Sequence, residues 1–157
     1  MNYQFLETPA GTLRLVSDGQ QLVAIEFEGQ SRCDSTGTEC SDTVLSNSAR
    51  QLKEYFDGAR QRFELPLGAR GTPFQESVWS TLQQIPYGEL RSYRDIAHSI
   101  DNSGAVRAVG AANRRNPLPI VVPCHRVIGS DGSLTGFAGG LEMKTMLLQL
   151  EGALPRD

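Results

Sequence analysis

The sequence predicts an α+β fold, in which a β-rich first part precedes a helical second part. Apolar strands paired around short turns open the chain, a polar stretch and one helix follow, and amphipathic helices dominate beyond residue 72. We therefore expect two subdomains, 1–70 and 71–157. A length of 157 residues suits one ordinary domain, or a small domain with a subdomain.

Two hairpins are predicted at the start of the chain. YQFLET and TLRLVS flank the turn PAG, and a turn at Asp18 and Gly19 leads into LVAIEFE. Residues 29–42 are polar and predict a loop, and RFELPL predicts a short strand before the boundary near residue 70. Between them, a helix is indicated by the apolar stripe Leu45, Ala49, Leu52 and Phe56.

The second part predicts a series of short helices. Thr72 is a suitable cap and Pro73 a suitable first residue for a helix with the stripe Phe74, Val78, Leu82 and Ile85. Ser92 caps a second helix, YRDIAHSI, and the turn DNSG leads to a third, AVRAVGAANRR, which ends before Pro117. This spacing is that of a helix-turn-helix, although many helical hairpins share it. LEMKTMLLQLEGA predicts a last helix that buries Leu147 and Leu150.

Basic side chains are concentrated in one stretch of an acidic chain. The net charge is −3, yet residues 91–126 hold six arginines, Arg126 among them, against two aspartates. On the third helix, Arg107, Ala111 and Arg114 share one face, beside Ala108, Ala112 and Arg115. Such a face suits a polyanion, and equally a solvated surface with basic residues near a helix C-terminus.

Composition excludes several classes of protein. No apolar run approaches the roughly 20 residues that span a bilayer, and the first residues lack a secretion signal, so we expect no membrane association and a reducing cytoplasm. Three cysteines, an odd number, fit thiols better than a disulfide framework. Cys33 and Cys40 have no histidine or second cysteine pair nearby, so no metal site is expected.

The segment IVVPCHRVIG places Cys124 and His125 at the end of an apolar run. The thiol is inert packing, a metal ligand or a nucleophile. A nucleophile needs a base, because a thiol with a pKa of about 8.5 is mostly protonated at neutral pH. In an extended strand His125 points to the opposite face, which favours a bridging water over direct contact. Glu151 is one candidate for a carboxylate that orients the histidine.

Five motifs in register resemble the methylated-DNA–protein-cysteine methyltransferases, or O6-alkylguanine-DNA alkyltransferases. They are PCHRV, FQESVWSTLQQIPYGELRSY, RAVGAAN, the following NP, and GFAGGLEMKTMLLQLEG. The match is dense over residues 72–152 and looser before them. It implies a ribonuclease-H-like N-terminal subdomain and a winged helix-turn-helix-like DNA-binding domain.

The resemblance also implies roles for individual residues. Cys124 matches the alkyl acceptor, His125 the base acting through water, and Glu151 the carboxylate that orients it. Asn116 matches the residue that braces the turn before the active-site strand, and Tyr93 the tyrosine that helps to rotate the nucleotide and donates to the flipped guanine. The remaining matches are the arginine finger Arg107, the DNA contacts Ala108, Ala111, Asn113 and Arg114, and the base pocket Val127, Phe137 and Ala138.

The function implied is single-turnover DNA repair, in which an alkyl group moves from O6-alkylguanine, or O4-alkylthymine, to Cys124. The implied partner is alkylated double-stranded DNA bound through its minor groove by a monomer, without cofactor or obligate protein partner. Phe137 and Ala138 replace a frequent tyrosine and an occasional serine, which predicts altered tolerance of bulky alkyl groups. The alternatives are a non-enzymatic binder of alkylated DNA, against which Cys124 argues, and a papain-type hydrolase.

Overall fold

The computed structural model describes residues 1–29 and 37–155. The chain divides into two units, Met1–Arg70 and Gly71–Asp157. The first unit is built around a sheet and the second from helices. This order of elements confirms the predicted α+β class.

A four-stranded sheet forms the centre of the first unit. Its strands are β1 (Asn2–Thr8), β2 (Gly11–Ser17), β3 (Leu22–Phe27) and β4 (Thr38–Glu39), in the spatial order β3-β2-β1-β4. The antiparallel pairs β1–β2 and β2–β3 are the two predicted hairpins. β4 pairs in parallel with β1 inside the stretch predicted as a loop. Cys33 lies outside the described residues.

Helix α1 (Thr43–Phe56) packs against the sheet. Asp42 precedes the helix as its N-cap, and its Oδ1 accepts a hydrogen bond from the backbone N–H of Leu45 at 2.8 Å. Tyr55 is fully buried, whereas Phe56, the predicted core residue, is partly exposed. The apolar stripe therefore ends one residue earlier than the spacing predicted.

The strand predicted for RFELPL is wrong. The segment forms one isolated parallel bridge, between Leu67 and Leu22. Pro66 accepts a hydrogen bond from the N–H of Leu22 at 2.8 Å, but a proline has no N–H with which to continue a ladder.

The described part of the second unit contains four α-helices: α2 (Pro73–Leu82), α3 (Tyr93–Ser99), α4 (Val106–Arg114) and α5 (Leu141–Leu150). The predicted caps Thr72 and Ser92 each make a capping box. Trp79, absent from the predicted stripe, is buried, and its indole N–H donates to the carbonyl of Ala112 at 2.8 Å. This hydrogen bond joins α2 to α4.

Three expected orientations in these helices are wrong. Ala112 does not lie on the exposed face of α4, because it is buried and its carbonyl accepts a hydrogen bond from Trp79 of α2. Phe74 is only partly buried. In α5 the buried pair is Leu147 and Leu148, while Leu150 is partly exposed.

The predicted active-site strand is also absent. Residues 119–122 form turns, and a 3-10 helix, Cys124–Arg126, follows them. Pro117, Pro119 and Pro123 occur within seven residues and supply no N–H for strand pairing. Pairing begins only at β6 (Val127–Ile128), which lies parallel to β5 (Arg91–Ser92).

The capping box of α2 gives a testable contribution to stability. Thr72 Oγ1 accepts from the N–H of Gln75 at 3.1 Å, and the Gln75 side chain accepts from the N–H of Thr72 at 3.0 Å. Thr72→Ala is expected to lower the free energy of unfolding by about 1 kcal/mol. Urea denaturation followed by the fluorescence of Trp79, the single tryptophan of the chain, measures it.

Ser80→Ala, at an exposed position within the same helix, is the control. It is expected to hold or raise stability, because alanine has the higher helix propensity. Equal unfolding free energies for Thr72→Ala and the unaltered protein would contradict the capping role.

Candidate active site

Cys124 lies in a buried turn whose backbone is held by two asparagines. Asn116 Nδ2 donates to the carbonyl of Val122 at 2.8 Å, and Asn116 Oδ1 accepts from the N–H of Leu118 at 3.0 Å. Asn113 Nδ2 donates to the carbonyl of Cys124 at 3.3 Å. The nucleophile candidate thus begins a short 3-10 helix that is tied directly to α4.

The structure contradicts the expected DNA contact by Asn113. The side chain is only 1% exposed, and it faces the carbonyl of Cys124 and not solvent. The helical periodicity that exposes Ala111 and Arg114 places Asn113 on the buried side of α4. Its signal in the sequence was weak, because asparagine is usually exposed.

His125 and Glu151 meet in the interior. His125 Nε2 lies 2.7 Å from Glu151 Oε2, and both side chains are fully buried. Burial opposes ionisation of Glu151, but hydrogen bonds from His125 and Arg126 outweigh it and lower the pKa of the carboxyl to about 2. Burial lowers the pKa of His125 despite the attraction of Glu151.

These charge states assign the proton on the imidazole ring. An ionised carboxylate only accepts hydrogen bonds, so Nε2 of His125 carries the proton that lies between it and Glu151. In a neutral imidazole the other nitrogen is then an acceptor. Nδ1 is therefore able to take a proton.

Arg126 completes this group, and the sequence reasoning missed it by counting it among surface charges. Its Nε and Nη2 donate to the two oxygens of Glu151 at 2.8 and 3.0 Å, and its Nη1 donates to the carbonyl of Ile85 at 2.6 Å. The residue is 6% exposed. A bidentate guanidinium fixes the plane of the carboxylate that receives His125.

Lys144 is a second buried cation that was missed. Its Nζ donates to the carbonyls of Val127 at 2.6 Å and Thr135 at 2.8 Å. Burial lowers the pKa of Lys144 to about 8, although the charge of Cys124 acts in the opposite direction. The sequence did indicate this burial, because Lys144 precedes Leu147 and Leu148 by three and four residues and so lies on the same, buried face of α5.

The loop between β6 and α5 carries the other predicted pocket residues. Tyr93 Oη donates to the carbonyl of Thr135 at 3.1 Å, so the start of α3 is joined to the carbonyl that Lys144 also holds. Val127 and Phe137 are buried, and Ala138 is exposed.

One side of α4 is exposed and carries small and basic residues: Arg107, Ala108, Ala111 and Arg114. Arg114 also reaches the pocket loop, because a Cβ on Gly136 would lie 3.4 Å from Arg114 Nη1 and 3.5 Å from its Cδ. Gly136 has a φ of 56°, a left-handed conformation that glycine adopts without strain. The exposed face of α4 thus continues onto the loop of the second unit.

The remaining titratable side chains form no metal site in the part of the chain that the structure describes. No group of three or more His, Cys, Asp or Glu side chains is arranged there to hold a metal ion. Cys40 is exposed, with its Sγ 3.2 Å from Asn2 Oδ1, and His98 is exposed. Among the described helices, none has the length and apolarity needed to cross a membrane.

Two family models match the chain. The DNA binding domain of 6-O-methylguanine DNA methyltransferase matches residues 73–153, and the ribonuclease-like domain of the same family matches residues 1–69. A methylated-DNA–protein-cysteine methyltransferase of Methanosarcina barkeri is 46% identical over 153 residues, covering 96% of this chain and 97% of its own. The constitutive enzyme of Bacillus subtilis is 46% identical over 155 residues, covering 95% and 94%.

Two solved structures of related proteins are similar to this chain. The crystal structure of Mycobacterium tuberculosis OGT in complex with DNA superposes with a TM-score of 0.92 at 43% identity, covering 98% of this chain and 94% of that one. An O6-methylguanine DNA methyltransferase from Methanococcus jannaschii gives a TM-score of 0.71 at 27% identity, covering 98% and 95%. The similarity therefore extends over both units of the chain.

The buried carboxylate predicts a pH-dependent stability. Because the pKa of Glu151 falls from 4.5 to about 2 on folding, its contribution is fully present above pH 4.5 and is lost as the pH falls toward 2. Glu151→Gln leaves the buried Arg126 without a counter-charge and is expected to cost about 3–5 kcal/mol at neutral pH. Urea denaturation at neutral pH and at successively lower pH should show this difference narrowing.

Glu142→Gln, an exposed carboxylate on the same helix, is the control and is expected to change stability by less than about 0.5 kcal/mol. A difference between the Glu151 variant and the unaltered protein that stays constant from neutral pH down to the acid limb would disprove the charge assignment.

Proposed function

Because the chain belongs to the methylated-DNA–protein-cysteine methyltransferase family, we propose that it repairs DNA by moving an alkyl group from O6-alkylguanine to its own Cys124. The observation that carries the proposal is the buried turn of Cys124, which is bonded to α4 on one side and continues into the His125–Glu151 pair on the other. The DNA complex of the Mycobacterium tuberculosis relative supports DNA as the partner.

The alkyl transfer is a direct displacement. His125 Nδ1 takes the thiol proton through a water molecule, while Glu151 and Arg126 hold the ring in the tautomer that leaves Nδ1 as acceptor. The sulfur forms a bond to the alkyl carbon as the bond from that carbon to O6 breaks. Guanine leaves as the anion and takes up a proton from solvent, His125 returns to solvent the proton that it received, and a thioether remains on Cys124. Water does not cleave this thioether, so each molecule acts once.

Access to the alkyl group requires the nucleotide to leave the stack, at a cost of a few kcal/mol. The exposed face of α4 suits this step, because Ala108 and Ala111 permit close approach to the minor groove and Arg107 occupies the place of the extruded base. Arg114 adds a charge next to the phosphates. Val127, Phe137 and Ala138 contact the extruded base, and Tyr93 donates a hydrogen bond to it. The protein acts as a cytoplasmic monomer.

Replacement of the thiol tests the acceptor. Cys124→Ser is expected to abolish transfer and to leave binding of alkylated DNA nearly unchanged, because a hydroxyl is similar in size but far less nucleophilic. With a methylated oligonucleotide, intact mass should show a gain of about 14 Da, a methyl group replacing a hydrogen, on the unaltered protein only. An adduct located on Cys40 or Cys33 would overturn the assignment, and binding without any adduct would favour a non-enzymatic reader of damage.

The ratio of three reaction rates tests Arg107. If Arg107 fills the place of the extruded base, Arg107→Ala should slow reaction with a methylated duplex far more than with a single strand, and should leave reaction with free O6-benzylguanine almost unchanged. Lysine should rescue poorly, because it lacks the planar guanidinium that stacks on bases.

Arg94→Ala, at an exposed position of α3, is the control for loss of charge alone. A phosphate contact alone predicts a modest loss on all DNA and a salt slope smaller by about one unit. Equal slowing of Arg107→Ala on duplex, single strand and free base would exclude the finger role.

A further inference from the structure

Two buried polar atoms belong to residues that are joined to Cys124, one by a hydrogen bond and one by the chain itself. Within residues 1–29 and 37–155, Asn113 Oδ1 and His125 Nδ1 are the buried side-chain nitrogen or oxygen atoms that have no hydrogen-bond partner. Asn113 donates to the carbonyl of Cys124 through its other amide atom, and His125 is the next residue in the chain. Both atoms therefore belong to the immediate surroundings of Cys124.

Both atoms require a hydrogen-bond donor. A buried acceptor left without a donor costs about 1–3 kcal/mol, and such groups are normally paired with the protein or with an ordered water that has two or more polar partners. Asn113 Oδ1 is an acceptor, and His125 Nδ1 is an acceptor as long as Nε2 carries the proton shared with Glu151. One water has two hydrogens to donate, which is the number that these two acceptors require.

We propose that Asn113 is a positioning residue for the alkyl transfer: its amide nitrogen fixes the backbone of Cys124, and its amide oxygen holds, together with His125 Nδ1, the water that carries the thiol proton. The inference rests on the proposed function and adds a residue to it. The water accepts the proton from sulfur as it passes one of its own to Nδ1, so no proton is gained or lost. Asn113 touches neither the alkyl group nor the base.

The position of Asn113 gives this contact a second consequence. It follows Ala112, whose carbonyl holds Trp79, and precedes the exposed Arg114 on the same helix. The helix that we propose binds DNA is therefore hydrogen-bonded directly to the backbone carbonyl of Cys124. A displacement of α4 changes the placement of Cys124 without any intermediate loop.

Reactivity of Cys124 toward iodoacetamide across pH tests the proposal without DNA, with the adduct on Cys124 quantified by peptide mass spectrometry. Asn113→Leu is nearly isosteric and removes both polar atoms. It is expected to lower the rate at neutral pH by roughly 10- to 100-fold, less than the complete loss of a general base. The midpoint of the rate–pH profile should rise toward the value of about 8.5 for an isolated thiol.

The surrounding charges stay in place in this experiment. Glu151 and Lys144 on the α5 side and Arg126 on the 3-10 helix act on His125, and Lys144 also interacts with Cys124. Asn113→Ala, which removes the same two polar atoms with less bulk in case the leucine variant does not fold, adds no charge beside Cys124. It should also slow the reaction and raise the midpoint. Asn47→Leu, the same substitution at an exposed position of α1, is the matched control.

Each outcome decides the inference. A raised midpoint in folded Asn113→Leu or Asn113→Ala, with unmodified DNA bound as before, supports it. A rate that falls by the same factor at every pH, with an unchanged midpoint, shows that Asn113 only supports the backbone and overturns the inference. An unchanged rate also overturns it. The proposed function is tested separately by methyl transfer to unaltered protein, so failure of that function and failure of the Asn113 role give different results.

Discussion

The buried carboxylate of Glu151 is the interaction on which the site depends. It binds His125 on one oxygen and spans the guanidinium of Arg126, so three charged or titratable groups are removed from water together. Desolvation would make any one of them alone strongly unfavourable, but the set is mutually satisfied. The same contacts decide the protonation of His125. The contacts that stabilise the interior therefore also fix the tautomer of His125.

The backbone around Cys124 shows how local sequence and distant contacts cooperate. Three prolines prevent residues 117–123 from joining a sheet, and the side chain of Asn116 then donates to Val122 and accepts from Leu118 where strand partners are missing. The result is a segment that is buried but not extended. Such a bend brings consecutive side chains onto neighbouring faces, whereas a strand would separate them.

Local patterns were sufficient for the hairpins, for the caps Thr72 and Ser92 and for the order of the helices, because each depends on neighbours in sequence. The segment IVVPCHRVIG itself indicated Cys124 and His125, with Glu151 as one candidate carboxylate, and the resemblance to a family gave these residues their roles. Arg126 and Lys144 escaped both, since periodicity treats a charged side chain as exposed. The partner of Arg126 lies 25 residues away. Only the folded chain shows that both cations are hydrogen-bonded in the interior, Arg126 to a carboxylate and Lys144 to carbonyls.

The carbonyl of Thr135 accepts hydrogen bonds from both Tyr93 and Lys144. A carbonyl oxygen has two lone pairs, and one donor is enough to avoid an unsatisfied group. Tyr93 has a single hydroxyl proton, so the donation to a base that we propose would require it to leave Thr135. Lys144 remains on that oxygen when it does. The tyrosine can therefore change partners at little enthalpic cost, and the loop keeps its anchor during the exchange.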